Sequence, residues 1–352
     1  MSNRVEDVAA GAPWRLSQSV RRAAQTYFPG FAVAALIATS AAFLSEHYGA
    51  PATLLALLLG NSLSFLSESN TKTAAGIHLT SRNVLRIGVA LLGARVSVEM
   101  VSELGAGLIS LVGAAVVFTM LATSIVGRTA GMSWRLSLLT GGAVAICGAS
   151  AAAALDAVLP RRGNRETDLT LTIVVITVLS TSAMIFYPML AIWLQFDAHQ
   201  AGVFIGGTIH DVAQVVGAGF SLSEETGEVA TFVKMIRVSL LAPIMIATSI
   251  FSALLGADDG QKVRKLSQAI PGFVLAFALL AALRSLGLLP AIVADLTGEV
   301  SRWALLMALG AVGLRTPLKE LATLRLSTMG LALLATGLLT TFVVTGLLWR
   351  RG

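Results

Sequence analysis

The sequence predicts an all-α polytopic membrane protein, and three observations carry that prediction. Of the 352 residues, 55% are hydrophobic and only 12% charged, where a soluble domain holds roughly twice that charge fraction. Mean hydropathy is +0.81. The apolar residues also run in long blocks, such as GLISLVGAAVVFTMLATSIV (107–126) and TMGLALLATGLLTTFVVTGLL (328–348). Each block is long enough to cross a bilayer as a helix, which takes about 20 apolar residues.

Taken in order, Gly, Pro and charge divide the chain into about eleven transmembrane helices, near 29–45, 51–67, 83–97, 104–126, 136–158, 169–194, 201–220, 231–255, 269–289, 300–315 and 326–348. Residues 1–28 are polar, have no apolar core to serve as a signal peptide, and read as a cytoplasmic N-terminal segment. Residues 29–350 read as one transmembrane domain. A net charge of +6 is not a nucleic-acid signature, because the basic residues lie between apolar blocks, where they set orientation. With the N-terminus cytoplasmic, the loops holding Lys72 and Arg82, Arg128 and Arg135, Lys262 to Lys265, and Lys319 and Arg325 fall inside. EHYGA (46–50), SEETGE (223–228) and ADLTGE (294–299) fall outside. PRRGNRETD (160–168) disagrees, unless the fifth and seventh spans are re-entrant hairpins. Arg350 and Arg351 also fall outside, without explanation.

Short matches suggest internal repetition. LRIGVALLGARV (85–96) pairs with IRVSLLAPIM (236–245), and LLLGNSLS (57–64) with FIGGTIHD (204–211), five spans apart and therefore inverted in the membrane. Inverted repeats are a feature of secondary transporters. A rival pairing of LLGARVSVE (91–99) with AVGLRTPLK (311–319) spans seven.

Polar groups inside spans are the candidates for chemistry, since a charge at mid-bilayer costs about 2.5 kcal/mol or more unless paired or hydrated. In GGTIHDVAQVVGAG (206–219), helical spacing sets His210 and Gln214 on one face, with Thr208 and Asp211 on neighbouring faces. That face could bind an oxyanion, and His210 with Asp211 could take up a proton. Packing of helix on helix is the plainer reading. In TGGAVAICGASAAAAL (140–155), the glycines favour an interrupted helix, with Cys147, Gly148 and Ser150 flanking a break whose N–H groups would meet an anion. Small-residue packing is again the alternative. Arg86, Arg95, Lys234 and Arg237 lie near span edges. Lys234 and Arg237 share one helix side, and guanidinium donors suit sulfate or carboxylate. Snorkelling to head groups competes with that role. The four histidines lack metal-ligand spacing, and one cysteine excludes an internal disulfide. There is no Walker motif, HExxH, GxSxG or dinucleotide fingerprint, so no cofactor, metal or enzymatic activity is expected.

ALLLGNSLSF (56–65), LRIGVALLGARVSV (85–98), GGAVAICGASAAAA (141–154), GGTIHDVAQVVGAG (206–219) and VKMIRVSLLAPIMI (233–246) resemble the blocks of the YeiH-type, UPF0324 family of sulfate-exporter-like proteins. The resemblance implies a multi-pass protein of the bacterial inner membrane, near the bile acid, arsenite and riboflavin transporter superfamily. It implies two inverted five-helix repeats, carried here onto 51–194 and 201–348 with the first span as an extra N-terminal helix. Broken crossing helices would then be the fifth span, with ICGAS, and the tenth, with ALGAVGLRTP (308–317). It implies alternating-access export of sulfate or a related sulfur oxyanion. A cation-coupled importer of an organic anion, driven by sodium or protons, is the alternative. The partners are then a sulfate-like anion, the bilayer and a coupling ion, with a homodimer left open.

Overall fold

The computed structural model describes residues 13–68, 70–96, 98–159, 165–254, 271–315 and 326–350, and among them every regular element is a helix. The basic segments at 160–164, 255–270 and 316–325 lie outside the described residues. The first helix, α1, runs Pro13–Tyr48, so it begins well before the expected span and takes in much of the expected N-terminal segment. It is followed by α2 (Ala52–Ser62) and a 3₁₀ turn (Ser64–Ser67). The next pass is composite: α3 (Ala74–Leu79), a π turn (Thr80–Val84) and α4 (Leu85–Leu92). Helix α5 (Val98–Thr129) kinks at Gly105, where φ is 64°.

Two segments double back instead of crossing. Helices α6 (Trp134–Ala145) and α7 (Ala149–Val158) form the first hairpin. Arg135, in the first turn of α6, pairs with Asp156 in the last turn of α7, which is impossible in a collinear helix. After α8 (Arg165–Trp193) come α9 (Ala198–Thr208) and α10 (Val212–Leu222), the second hairpin. Its legs also start and end together: Thr226, just past α10, donates to the carbonyl of Ala198 at 3.3 Å. Each leg has 10 to 12 residues, about 15–18 Å long, half the ~30 Å hydrocarbon thickness. The 29-residue α8 joins the base of one hairpin to the base of the other over about 43 Å. The hairpins therefore enter from opposite faces and end near mid-depth.

The rest of the chain is α11 (Glu224–Ser239), α12 (Leu241–Leu254), α13 (Gly272–Ser285), α14 (Ala291–Leu314) and α15 (Leu326–Trp349). Pro243 in the first turn of α12 lacks the N–H that would continue the ladder from α11, so the two are separate segments of one pass. Five stretches are long and apolar enough to cross a membrane: Arg21–Tyr48, Gly105–Thr129, Asp168–Trp193, Glu224–Phe251 and Ser327–Trp349. The chain is an all-α polytopic membrane protein.

The helices sort into two bundles by packing. Helices α1–α4, α13 and α14 pack on one another as a scaffold bundle, and α5–α12 with α15 form a hairpin bundle. The main contact between them is α10 against α2 and α14. Broken crossing helices at the fifth and tenth spans are thereby corrected. The fifth is a hairpin, the tenth is the unbroken α14, and the seventh holds the second interruption. The hairpins take the fourth place in one expected repeat and the first place in the other. Doubling back also puts both ends of the first hairpin on the face of Arg128, so the flanks of the 160–168 loop no longer conflict with the other basic loops.

Candidate functional site

The two hairpin tips meet inside the hairpin bundle. At the first tip the helix stops because Ile146 leaves helical geometry (φ −109°, ψ −84°) and Gly148 adopts φ 64°, ψ −129°, a conformation that only glycine takes without strain. At the second tip Ile209 and Asp211 are extended. A Cβ at Gly148 would stand 3.3 Å from Ile176 and 3.6 Å from the carbonyl of His210, so the tips are in van der Waals reach.

Two cations hold them together. Lys234 and Arg237, both on α11, are 0% exposed. The Lys234 ammonium donates to the carbonyls of Ile146 (2.8 Å), Ile209 (2.9 Å) and His210 (2.5 Å). The Arg237 guanidinium donates to Ala145 (2.9 Å), Val144 (2.8 Å), Gly206 (2.9 Å) and Ile209 (3.0 Å). Each cation thus bonds both hairpins. Apart from the His210 carbonyl in the tip itself, the acceptors are the last carbonyls of α6 and α9, where a helix carries about half a negative charge and four orphan acceptors. This bonding offsets the cost of burying two charges in the membrane interior. Gly206 makes it possible, since any side chain there would strike the backbone of Ala230 on α11.

With the C-terminal ends of α6 and α9 neutralised, the N-terminal ends of α7 and α10 are the remaining dipole ends at the tips. Helix α7 has no side-chain cap, because its N-cap is Gly148. Helix α10 is capped by Asp211, which accepts from the Ala213 N–H at 3.4 Å, while the Asp211 N–H donates to Ser180 at 3.0 Å. Ser150, in the first turn of α7, is exposed and donates to the Cys147 carbonyl at 3.0 Å, with its oxygen 2.9 Å from the Cys147 sulfur. Cys147 itself is 3% exposed.

The other candidates separate clearly. His210 does not share a helix face with Gln214, because it stands in the extended tip before α10 begins. Its Nε2 lies 3.0 Å from the Thr336 hydroxyl, which already donates to Ala332, so Nε2–H is the donor. Gln214 is 1% exposed and its side-chain oxygen has no partner. Thr208 is buried and spends its hydroxyl on the Phe204 carbonyl at 2.5 Å. Lys234 and Arg237 act on backbone, not toward an open path. Arg86 and Arg95 are not at the tips: Arg86 lies 6.0 Å over the Phe273 ring, and Arg95 pairs with Glu224 at 3.3 Å and Glu228 at 3.2 Å. Among the described residues no group of His, Cys, Asp and Glu is placed to hold a metal.

Sequence reasoning missed the buried pair of Arg135 with Asp156, because it read Arg135 as a loop charge that sets orientation. It also missed Ser180 and Thr336, which carry no signal in a chain rich in hydroxyl residues.

The family model for conserved hypothetical protein 698 matches residues 29–332. The chain is 65% identical to UPF0324 membrane protein RA0957 of Rhizobium meliloti, over 352 residues and the full length of both. It is 56% identical over 320 residues to UPF0324 membrane protein TauZ of Paracoccus denitrificans, covering 91% of this chain and 94% of that one. It is 42% identical over 323 residues to UPF0324 membrane protein CT0845 of Chlorobaculum tepidum, covering 92% and 90%.

Proposed function

The chain belongs to the UPF0324 family of membrane proteins, and from that premise we propose that it is a secondary transporter of a small anion, with sulfate or a related sulfur oxyanion as the substrate class. One observation carries the reading. The carbonyl ends of two half-helices are neutralised by Lys234 and Arg237, which leaves the donor ends of α7 and α10 to meet an anion near mid-membrane. Gly148 and Ser150 supply backbone and hydroxyl donors at the first tip, and His210, Asp211 and Gln214 line the second. Lys234 and Arg237 add positive potential without touching the anion. His210, bonded to Thr336 and set beside Asp211, is the proton-coupling candidate.

In this proposal the chain passes the bacterial inner membrane nine times and dips into it twice, which accounts for eleven apolar segments. The N-terminus is cytoplasmic, and the basic flanks of the first hairpin lie on the same side. An inverted relation persists at the level of the hairpins, which enter from opposite faces. Alternating access follows if the hairpin bundle moves against the scaffold bundle, since they share one main contact through α10. Purified protein in liposomes, loaded with labelled sulfate, sulfite or a small sulfonate, tests the substrate class. Flux above empty vesicles is expected for at least one of them. No flux of any in either direction overturns it, and sodium-dependent uptake of an organic carboxylate selects the cation-coupled importer.

A further inference from the structure

We propose that Arg95 is an ion-pair latch between the two bundles, holding one face of the protein closed over the hairpin tips. The proposal rests on the transport reading above and adds how access to that site is controlled. Arg95 lies in the 3₁₀ turn Gly93–Arg95 that follows α4, on the scaffold bundle. Its partners, Glu224 and Glu228, lie on α11 of the hairpin bundle, four residues apart and so on one side of the helix. Helix α11 is the same helix that carries Lys234 and Arg237, so a pull on its first turn is transmitted to both tips.

Further contacts close the same face. The Thr53 hydroxyl on α2 donates to the Gly217 carbonyl on α10 at 3.0 Å, and a Cβ at Gly217 would stand 3.3 Å from Leu309 on α14. Over them lies a cavity of about 490 Å³ lined by Glu46, Thr53, Arg95, Ser221, Glu224 and Arg302, among others. The opposite side of the tips is different. Helix α7 packs chiefly on α6, α8 and α12 of its own bundle, and its Ser150 and Ala153 are exposed. Among the described residues, the contacts between bundles therefore gather on one face, and α7 on the other packs within its own bundle. Arg95 is the charged member of the seal, with both carboxylates on its guanidinium instead of a substrate anion.

The single cysteine of the chain, Cys147, sits at the first tip, buried at 3%, and is a native reporter. A membrane-impermeant maleimide is applied from either side of oriented vesicles, and the rate of Cys147 modification is read by mass. Tyr48→Cys in a Cys147→Ser background marks which compartment the Arg95 face meets, because Tyr48 is 78% exposed on that face. Both Arg95→Gln and the Glu224→Gln, Glu228→Gln double variant are expected to raise labelling from that side about two- to fivefold, the shift expected when one state loses a partly exposed charged contact. Arg95→Glu combined with Glu228→Arg restores the parental rate. Parental labelling in both neutral variants overturns the latch, as does an equal rise from both sides, which reports general loosening. The readout needs no transported substrate, so absence of sulfur-oxyanion flux leaves a positive result standing, and a negative result leaves the flux assay untouched.

Discussion

The first hairpin turns on a glycine and is tied at its base by a buried ion pair, Arg135 with Asp156. The second turns on extended residues and is tied by caps. Asp197 and Gln200 form a capping box at the start of α9, Asp211 caps α10, and Ser223 caps α11. The second hairpin also leans on the scaffold bundle through α10, while α7 has its packing within its own bundle. Two different local solutions thus deliver tips to one place. Neither tip holds itself there, because the last carbonyls of α6 and α9 find their donors on α11. Hairpin chemistry decides that the chain turns, and the two cations decide where the turns meet.

The most damaging way to break this arrangement is to remove a shared brace. Arg237→Met leaves the carbonyls of Val144, Ala145 and Gly206 without that donor, and each buried unpaired acceptor costs about 1–3 kcal/mol. The expected result is loss of folded, monodisperse protein in detergent, read by size-exclusion chromatography and thermal unfolding. Arg86→Met, at an exposed ring contact, should leave both unchanged. An Arg237→Met protein that melts like the parent would remove the brace from this account. The next effect separates the hairpin bases. Asp156→Asn unbalances a buried pair, at about 3–5 kcal/mol, whereas Asp197→Ala removes one N-cap, at about 0.5–2 kcal/mol. Thermal unfolding should rank them in that order, and the reverse order would mean the ion pair is not what closes the first hairpin.

Much of this was legible in the sequence, and the limits have physical causes. Apolar runs of the right length identify the membrane helices, and Gly148 marks a break because helix interiors disfavour glycine. The PRRGNRETD loop even hinted at hairpins, because charge on the wrong side demands an even number of crossings. Lys234 and Arg237 were visible as cations near a span edge, but their partners are main-chain carbonyls, which look the same in every residue. Four-residue spacing sets His210 and Gln214 on one face only in an unbroken helix, and the extended tip before α10 removes that condition. The resemblance implies a break in the tenth span, yet α14 stays helical: Gly310 and Gly313 serve close packing against α1 and α2. Glycine for packing and glycine for turning are indistinguishable until the neighbours are known.

A smaller loss is expected at the first turn itself. With φ 64° and ψ −129° at Gly148, Gly148→Ala forces an L side chain into a region that costs about 1–3 kcal/mol. Asp211→Ala, at the second tip, loses one cap worth about 1 kcal/mol. Thermal unfolding compares the two, and equal or reversed losses would mean the glycine turn carries no special strain requirement.

The smallest effect on stability should be the most informative about the anion. The second residue of α7 is Ser150, an exposed hydroxyl, while the matching position of α10 is Ala213, buried at 2% and unable to donate from its side chain. If a sulfur oxyanion is held at the tips, the uncapped end of α7 offers its backbone N–H groups freely while the Ala213 N–H of α10 is held by Asp211, and the side-chain donor also falls on the first hairpin. Ser150 bonds only within its own turn, so Ser150→Ala should change stability by no more than about 0.5 kcal/mol. A hydrogen bond to a charged ligand is worth about 1.5–3 kcal/mol, so losing it should raise KM for the transported anion by about tenfold or more. Ser150→Thr, which keeps the donor, should recover most of the affinity. A Ser150→Ala protein with parental KM would shift recognition to the backbone and to the second tip, where His210 Nδ1 and the Gln214 side-chain oxygen are buried without a partner among the described residues.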